Sequence, residues 1–257
     1  MLSNTSSLPE NWTSAAEAAA DTACPGRHLA QSKIPPPALG DEAVGWLRIR
    51  AWLVYQHIEL SDYELQIAEK CKRMELAVWT KWAGRTVWPD QSCRDKTVWL
   101  EFDGLKHTAI LDVIHILKKR ALVLKYELKT GPDAVVESQD NPEFSDLAIL
   151  AAHQFEVFKV SVAVVRPFAA RLPQIFSYDM ENLFPGMTAL KSRVRASHDP
   201  LSLRVAGEVQ CRQCRFSNQC PERAAAFATD ATTAPRPVAD KLESFPVNLQ
   251  PNPAFAH

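Results

Sequence analysis

The sequence predicts a mixed α/β domain in which helices precede three strands, a further helix and a last strand. Helical spacing of apolar residues dominates residues 40–82, and β-branched and aromatic residues dominate three segments between 97 and 129. An alanine- and leucine-rich helical stretch then leads into the continuous apolar run Val160–Val165. A strand that is apolar throughout is typical of a sheet covered on both faces. This order predicts an αβββαβ core, with a mixed sheet flanked by helices.

The predicted elements follow in chain order. Residues 1–13 are polar and predicted to be loose, an alanine-rich helix follows over 14–23, and prolines at 35–37 break it. Within the helical region, Ser61 followed by Glu64 has the spacing of a capping box that starts a second helix. The strands and helices predicted after it are Thr97–Phe102, Ile110–Leu117, Ala121–Lys129, Phe144–Phe158, Val160–Val165 and 180–196.

The domain is therefore predicted to span residues 14–228, followed by a disordered tail. Residues 229–257 are punctuated by prolines and weakly patterned, which is typical of segments that bury too little apolar surface to fold.

Composition narrows the class of protein. The chain has 257 residues, of which 46% are hydrophobic and 23% charged, as in globular proteins. The net charge of −1 excludes an overall basic protein, so a DNA-binding surface would be a local patch. The sequence shows neither a secretory signal nor an apolar run of membrane-spanning length. We therefore expect no membrane association and a cytoplasmic location, where thiols stay reduced.

The predicted hairpin formed by the second and third strands sets the register of two acidic residues. A two-residue turn at Lys119-Arg120 would pair Lys118 with Ala121. Counting back along both strands then places Asp112 directly opposite Glu127.

The residues on this hairpin suit metal-assisted hydrolysis. Because side chains alternate along a strand, Glu127 and Lys129 share a face, and the register adds Asp112 to it. Two facing carboxylates repel unless a cation lies between them, and Mg²⁺ or Mn²⁺ prefers such oxygen ligands. A nearby lysine can position a water molecule or neutralise charge on a phosphate. The alternative is an ordinary half-exposed strand with alternating charges.

The strand–turn–strand that ends in Glu127-Leu128-Lys129-Thr130-Gly131 resembles motifs II and III of the RecB-like branch of the PD-(D/E)XK nucleases. In that family an aspartate on one strand is followed by (D/E)-x-K-T-G on the next. The resemblance covers about residues 20–225 and implies the αβββαβ nuclease core. It also implies that Asp112 and Glu127 hold Mg²⁺ or Mn²⁺ and that Lys129 is the catalytic lysine.

Cys211-x2-Cys214-x5-Cys220 has the spacing of a metal or cluster site, and Cys24-Pro25-Gly26 lies far upstream. This set resembles the cysteines of iron–sulfur nucleases, which include CRISPR-associated adaptation exonucleases, AddB-type helicase–nuclease subunits and phage-encoded relatives. The resemblance implies a 4Fe–4S cluster held by all four cysteines, although tetrahedral Zn²⁺ suits four thiolates as well. Either would act as a structural clamp between the two ends of the domain. Cys71 and Cys93 are expected to be small buried residues.

Two positions of the family pattern are not matched. The helix over 40–53 has no histidine, and His57 is expected to lie on the surface. Asp146 and Leu150 stand near the positions where the family has a glutamine and a tyrosine. The catalytic trio is present but its supporting residues are not.

The sequence therefore leaves two functions open beside a third, a zinc-stabilised interaction module, against which the intact Asp112, Glu127 and Lys129 argue. The first is a DNA exonuclease or end-processing nuclease of phage or mobile-element type, acting on single strands or free ends, with a recombination or adaptation protein as a candidate partner. The second is an inactive DNA-binding or assembly subunit with the same fold. Candidate phosphate contacts are Lys118, Lys119, Arg120, Lys191, Arg193 and Arg195.

Overall fold

The computed structural model describes residues 9, 11–35, 38–127, 136–169, 171–212 and 214–228. Its strands are β1 (Trp12–Ser14), β2 (Gln91–Phe102), β3 (Leu105–Leu117), β4 (Arg120–Tyr126), β5 (Lys159–Val165) and β6 (Ile175–Tyr178). Its helices are α1 (Ala18–Ala23), α2 (Arg27–Ser32), α3 (Asp41–Tyr55), α4 (Asp62–Ala83), α5 (Pro142–Phe155), α6 (Met180–His198), α7 (Glu208–Arg212) and α8 (Pro221–Ala228).

The strands form one mixed sheet. β3 pairs antiparallel with β2 on one edge and antiparallel with β4 on the other. β4 pairs parallel with β5, and β5 pairs antiparallel with β6. The short β1 runs parallel to the start of β3. The predicted order of helices, three strands, a helix and a strand is confirmed, and β1 and β6 are additions to it.

Helices cover both faces of the sheet. On one face, Phe144 and Leu150 of α5 and Leu190 of α6 are fully buried against the strands. On the other face, α3 and α4 bury Ile49, Leu53 and Val78. Because both faces are covered, β5 carries apolar residues on both sides, and its buried Ser161 accepts a hydrogen bond from Trp82 Nε1 at 3.0 Å.

Side-chain caps define where the two helices beside the sheet begin. The predicted capping box of α4 is confirmed, because the backbone N–H of Glu64 donates to Ser61 Oγ and the Glu64 carboxylate accepts from Ser61 N. Asn141 caps α5, and Pro142 occupies its first position, where the missing N–H is not needed. This start places Glu143 in the first turn of α5.

The prediction that residues 1–13 are loose is wrong for Trp12 and Thr13. Trp12–Ser14 form β1, and Thr13 is only 2% exposed and hydrogen-bonds His107 Nδ1 at 2.8 Å. The domain therefore begins before residue 14. A three-residue strand of mostly polar character has too little periodicity to be recognised in the sequence.

The predicted hairpin turn is also wrong by one residue. Leu117 pairs with Arg120, so the turn is Lys118-Lys119, and both residues have left-handed φ values of 48° and 63°. Such a turn matches the twist of the two strands, but its usual sequence signal is Asn-Gly rather than two lysines. The register shifts by two, β4 ends at Tyr126, and Asp112 is not opposite Glu127.

Several predictions fall outside the described residues. They are the end of the third predicted strand with Lys129, the Thr130-Gly131 end of the nuclease-like motif, and the tail 229–257. None of the described helices has the length and apolar character that crossing a membrane requires.

Candidate active site

Asp112 lies at an interruption of the β2–β3 ladder. Pairing passes from Arg94↔Val113 to Lys96↔Leu111, and Asp95 between them has a left-handed φ of 49°. At this position Asp112 Oδ2 accepts a hydrogen bond from Tyr126 N at 2.7 Å. Its Oδ1 accepts from Arg50 of α3.

Glu127 lies directly after β4, near the same backbone. Its N–H donates to Val165 O at 3.0 Å, which continues the pairing with β5 by one residue. Its carboxylate accepts from Arg166 Nε at 3.1 Å and Nη2 at 2.9 Å. Asp112 and Glu127 are thus brought to the same end of β4, each already paired with an arginine.

Glu143 adds a third carboxylate from the start of α5. It forms an ion pair with Lys125 of β4 and is 7% exposed. Burial raises the pKa of Glu143, the Lys125 ammonium lowers it, and the charges of Glu127 and Asp112 raise it further. Three carboxylates from three elements therefore act on one another electrostatically.

Two further carboxylates pair with the arginines of this group. Asp95 lies 4.0 Å from Arg50, and Glu137 pairs with Arg166. The described ion pairs of the group thus join five carboxylates (Asp95, Asp112, Glu127, Glu137 and Glu143) to three cations (Arg50, Lys125 and Arg166). Burial also raises the pKa of Asp112 despite Arg50 and the Tyr126 N–H.

The donor set fits a divalent cation in kind and in charge, since hard cations take buried carboxylate oxygens. The spacing is not that of a closed site, however. In this described trio, Asp112, Glu127 and Glu143, at least two of the ligand oxygens lie more than 4.8 Å apart. A bound ion would draw these side chains together and loosen their pairs with Arg50 and Arg166.

Sequence reasoning missed six residues of this group: Arg50, Asp95, Lys125, Glu137, Glu143 and Arg166. Lys125 had a signal, because it alternates with Glu127 on the predicted strand and so shares its face. Glu143 is a first-turn acid behind an Asn-Pro helix start, but nothing local says where that helix packs. Arg50 and Arg166 reach the group only through tertiary packing.

The basic residues of the hairpin tip lie at the other end of β4. Seven residues separate Arg120 from Glu127, which corresponds to roughly 23 Å along a strand. Arg120 also stacks over the Trp82 ring, with 4.5 Å between its Cζ and the ring centroid. A phosphate contact by Lys118, Lys119 or Arg120 stays a prediction and would be remote from Asp112.

The basic residues of α6 differ from one another. Arg193 is 12% exposed and pairs with the fully buried Asp146, which also lies 2.9 Å from His107 Nε2. Arg195 is exposed and pairs with Asp103, and the Lys191 ammonium lies 5.6 Å from the Phe102 ring. A phosphate contact by Arg193 would require breaking a buried pair, whereas Lys191 and Arg195 are accessible.

The four cysteines predicted as ligands line one small cavity. Cys24, Cys211, Cys214 and Cys220 surround it together with Arg27, Arg204 and Phe216. Burial raises the pKa of the Cys24 thiol, the Val205 N–H lowers it, and the other three cysteines raise it again. The Cys24 sulfur therefore interacts electrostatically with the other three sulfurs. Cys71 is fully buried in the core and Cys93 is half-buried.

Backbone amides point at three of these sulfurs. Val205 N donates to Cys24 Sγ at 3.2 Å and Gly207 N to Cys211 Sγ at 3.4 Å. The backbone N–H of Phe216 also hydrogen-bonds Cys214, which lowers the pKa of a thiol that burial otherwise raises. Amide donors stabilise thiolates over thiols, so the cavity fits a group that thiolates ligate.

A further group of metal-ligand type lies beside this cavity. Ligand atoms of Glu17, Asp21 and His28 lie within 4.8 Å of one another. Arg27 already bonds Asp21 Oδ1 at 3.0 Å and lies 3.2 Å from Glu17 Oε2. This guanidinium occupies the place at which a cation would neutralise the two acids.

Comparisons with known proteins leave the family open. No protein family matches the sequence, and no curated protein matches it. Among solved structures, the chain is similar to the protein SSO0001 (15% identity, TM-score 0.41, 86% of this chain and 90% of that one). It is also similar to a candidate exonuclease from Eubacterium rectale (9% identity, TM-score 0.48, 82% and 88%). These similarities extend over most of each chain, but their identities and TM-scores are too low to define activity.

Proposed function

We propose that this chain is a metal-dependent nuclease of the PD-(D/E)XK type that hydrolyses DNA at single strands or free ends. The observation that carries the proposal is the meeting of the buried carboxylates of Asp112, Glu127 and Glu143, which come from three elements and act on one another electrostatically. Buried like charges repel, so a divalent cation would stabilise the group.

In this proposal Asp112 and Glu127 hold Mg²⁺ or Mn²⁺. When bound, the metal ion acts as a Lewis acid and makes a water molecule nucleophilic at neutral pH. Arg50 and Arg166, freed from their pairs, would lie next to the reacting phosphate, where their fixed charges stabilise developing negative charge. Lys129 keeps its predicted role of positioning the attacking water.

The cysteine site belongs to the same proposal as a structural clamp. It would join α1 to the segment before α8 and so close a loop of almost two hundred residues, which strongly restricts the unfolded chain. A mononuclear zinc site holds its sulfurs at about 2.3 Å from the ion, hence close together. Four thiolates ligate either group, and the resemblance to iron–sulfur nucleases favours the 4Fe–4S cluster.

One observation favours the inactive alternative. Asp112 and Glu127 each already have an arginine partner, and such pairs can stabilise a fold without any metal ion. In that case the chain binds DNA or a partner protein and leaves every phosphodiester bond intact.

The first prediction tests these two functions against each other. Anaerobically purified protein is incubated with end-labelled single- and double-stranded DNA, with Mg²⁺, Mn²⁺ or a chelator. We expect cleavage that the chelator abolishes, and a loss of about 100-fold or more in Asp112→Asn, Glu127→Gln and Lys129→Ala, because each removes a metal ligand or a proton-transfer group. DNA binding and folding should be retained.

The matched control is Glu101→Gln, which neutralises an exposed carboxylate of β2 outside the acidic group and should leave cleavage unchanged. Wild-type protein that binds DNA but cleaves no strand or end with either metal would establish the inactive alternative. Equal activity in the wild type and in Asp112→Asn would remove this site from the reaction.

A further inference from the structure

Arg204 is the cation that links the cysteine cavity to a carboxylate on its rim. Its Nε and Nη2 donate to Glu222 Oε2 and Oε1 at 2.9 and 2.8 Å, a two-point ion pair. Its guanidinium lies 5.7 Å from the Phe216 ring. Arg204 thus joins the segment after α6 to the start of α8.

Glu222 lies in contact with one of the predicted ligands. Cys220 Sγ is 3.2 Å from Glu222 Oε2, with the thiol as donor. Binding of a metal ion or cluster requires the thiolate, which has no proton to donate. The same contact then sets a sulfur with negative charge against a carboxylate.

Arg204 is placed to cancel this repulsion. Its charge acts on the sulfurs of both Cys220 and Cys24 as well as on Glu222. The second cation at the cavity, Arg27, pairs with Glu17 and Asp21, and its charge acts on Cys214. Of the two arginines that line the cavity, Arg204 is the one that bonds Glu222 and whose charge acts on Cys220.

We propose that Arg204 is a positioning residue of the cysteine site: it holds Glu222 in a neutral ion pair beside Cys220 and so allows four thiolates to retain an iron–sulfur cluster or a zinc ion. The proposal rests on the cysteine site of the proposed function. In it, Arg204 stabilises the bound metal group and does not contact DNA.

The second prediction is a double-mutant test of this role. Arg204→Met keeps the aliphatic stem that packs near Gly26 but leaves Glu222 unpaired. We expect about tenfold faster release of the bound metal to a chelator, equivalent to about 1.4 kcal/mol. Glu222→Gln alone should release it at the wild-type rate, and the double variant should return to that rate because the repelling carboxylate is gone.

Iron, acid-labile sulfide and zinc contents are measured on anaerobically purified protein, with absorbance followed during chelation. The matched control is the exposed pair Arg73–Glu69 on α4, where Arg73→Met should have no effect. Release of the metal from Arg204→Met at the wild-type rate overturns the proposal. Fast release that Glu222→Gln does not restore overturns it too, since it would show a packing role. Wild-type protein free of iron and zinc would instead refute the cysteine site itself.

Discussion

Gly26 lies where two distant segments of the chain approach each other closely beside the cysteine site. Its φ of −72° is open to any residue, so glycine is not needed there for backbone freedom. A Cβ at this position would lie 2.6 Å from Ser202 O and 2.8 Å from Arg204 Cγ. The Gly26 N–H also donates to Leu203 O at 3.0 Å. Residues 202–204 therefore cross directly over Gly26 on their way to the cysteine cavity.

The third prediction follows from this close approach. Gly26→Ala should lower the free energy of unfolding by roughly 1–3 kcal/mol, the usual penalty for adding a methyl group where no space exists. Because Val205 N bonds Cys24 Sγ, the same shift should reduce the metal content. Thermal unfolding and metal analysis measure the two effects.

Gly45 provides the comparison. It lies inside α3, where the atom nearest an added Cβ is Glu64 Oε1 at 3.6 Å. Gly45→Ala should stabilise the protein by roughly 0.5–1 kcal/mol, because alanine loses less conformational freedom in a helix. If both variants melted alike, the crossing at Gly26 would not be a tight contact.

At the scale of elements, the β3–β4 hairpin decides where the acidic residues lie. Its turn places two lysines in the left-handed region, which L-residues other than glycine and asparagine adopt at a cost. The backbone N–H of Lys118 is held by Asp90 Oδ2 at 2.8 Å, which contributes to stabilising this turn. The position of this turn sets the strand register, and that register brings the Tyr126 N–H to Asp112.

The fourth prediction tests this register. Replacing Lys118-Lys119 by Asn-Gly should raise the melting temperature, by roughly 1 kcal/mol in unfolding free energy, because Asn-Gly favours this turn type. The same dipeptide placed one residue later, at Lys119-Arg120, should destabilise the protein, since Arg120 belongs to β4 and stacks on Trp82. The reverse ranking of the two variants would restore the turn predicted from the sequence and its pairing of Asp112 with Glu127.

At the scale of the whole molecule, Glu75 joins α4 to three strands. Its carboxylate bonds Arg94 of β2 at 2.6 Å, His115 of β3 at 3.2 Å and the hydroxyl of Tyr126 of β4 at 2.7 Å. Burial alone would raise the pKa of Glu75, but the bonds from His115, Arg94 and Tyr126 outweigh it and lower the pKa to about 2. The charged form is therefore built into the packing of α4 on the sheet.

The fifth prediction concerns acid stability. A carboxyl group whose pKa is lowered on folding stabilises the folded state fully above its ordinary pKa of 4.5 and progressively less as pH falls toward about 2. Its contribution is on the order of 3 kcal/mol. Glu75→Gln should therefore destabilise the protein at pH 7 and flatten the loss of stability between pH 4.5 and 2, as measured by urea unfolding. The exposed Glu69→Gln should change neither, and an unchanged acid limb in Glu75→Gln would contradict the assignment.

The sequence by itself determined the order of the core elements, without β1 and β6, and the capping box that starts α4. These features depend on periodicity and on contacts within four residues, as at Ser61 and Glu64, so they are readable before folding is known. It also indicated which residues are candidates for chemistry, because the segments with Asp112, Glu127 and the four cysteines resemble nuclease motifs.

Only the tertiary structure decided how these residues meet. The turn at Lys118-Lys119 shifted the register by two, because turn conformation depends on strand twist rather than on the identity of the lysines. Glu143, Arg50 and Arg166 entered the acidic group from elements that are distant in the chain. Cys24 reached the later cysteines because residues 202–205 cross over Gly26. Contacts between distant segments depend on packing and charge balance summed over the fold, and no local pattern encodes that sum.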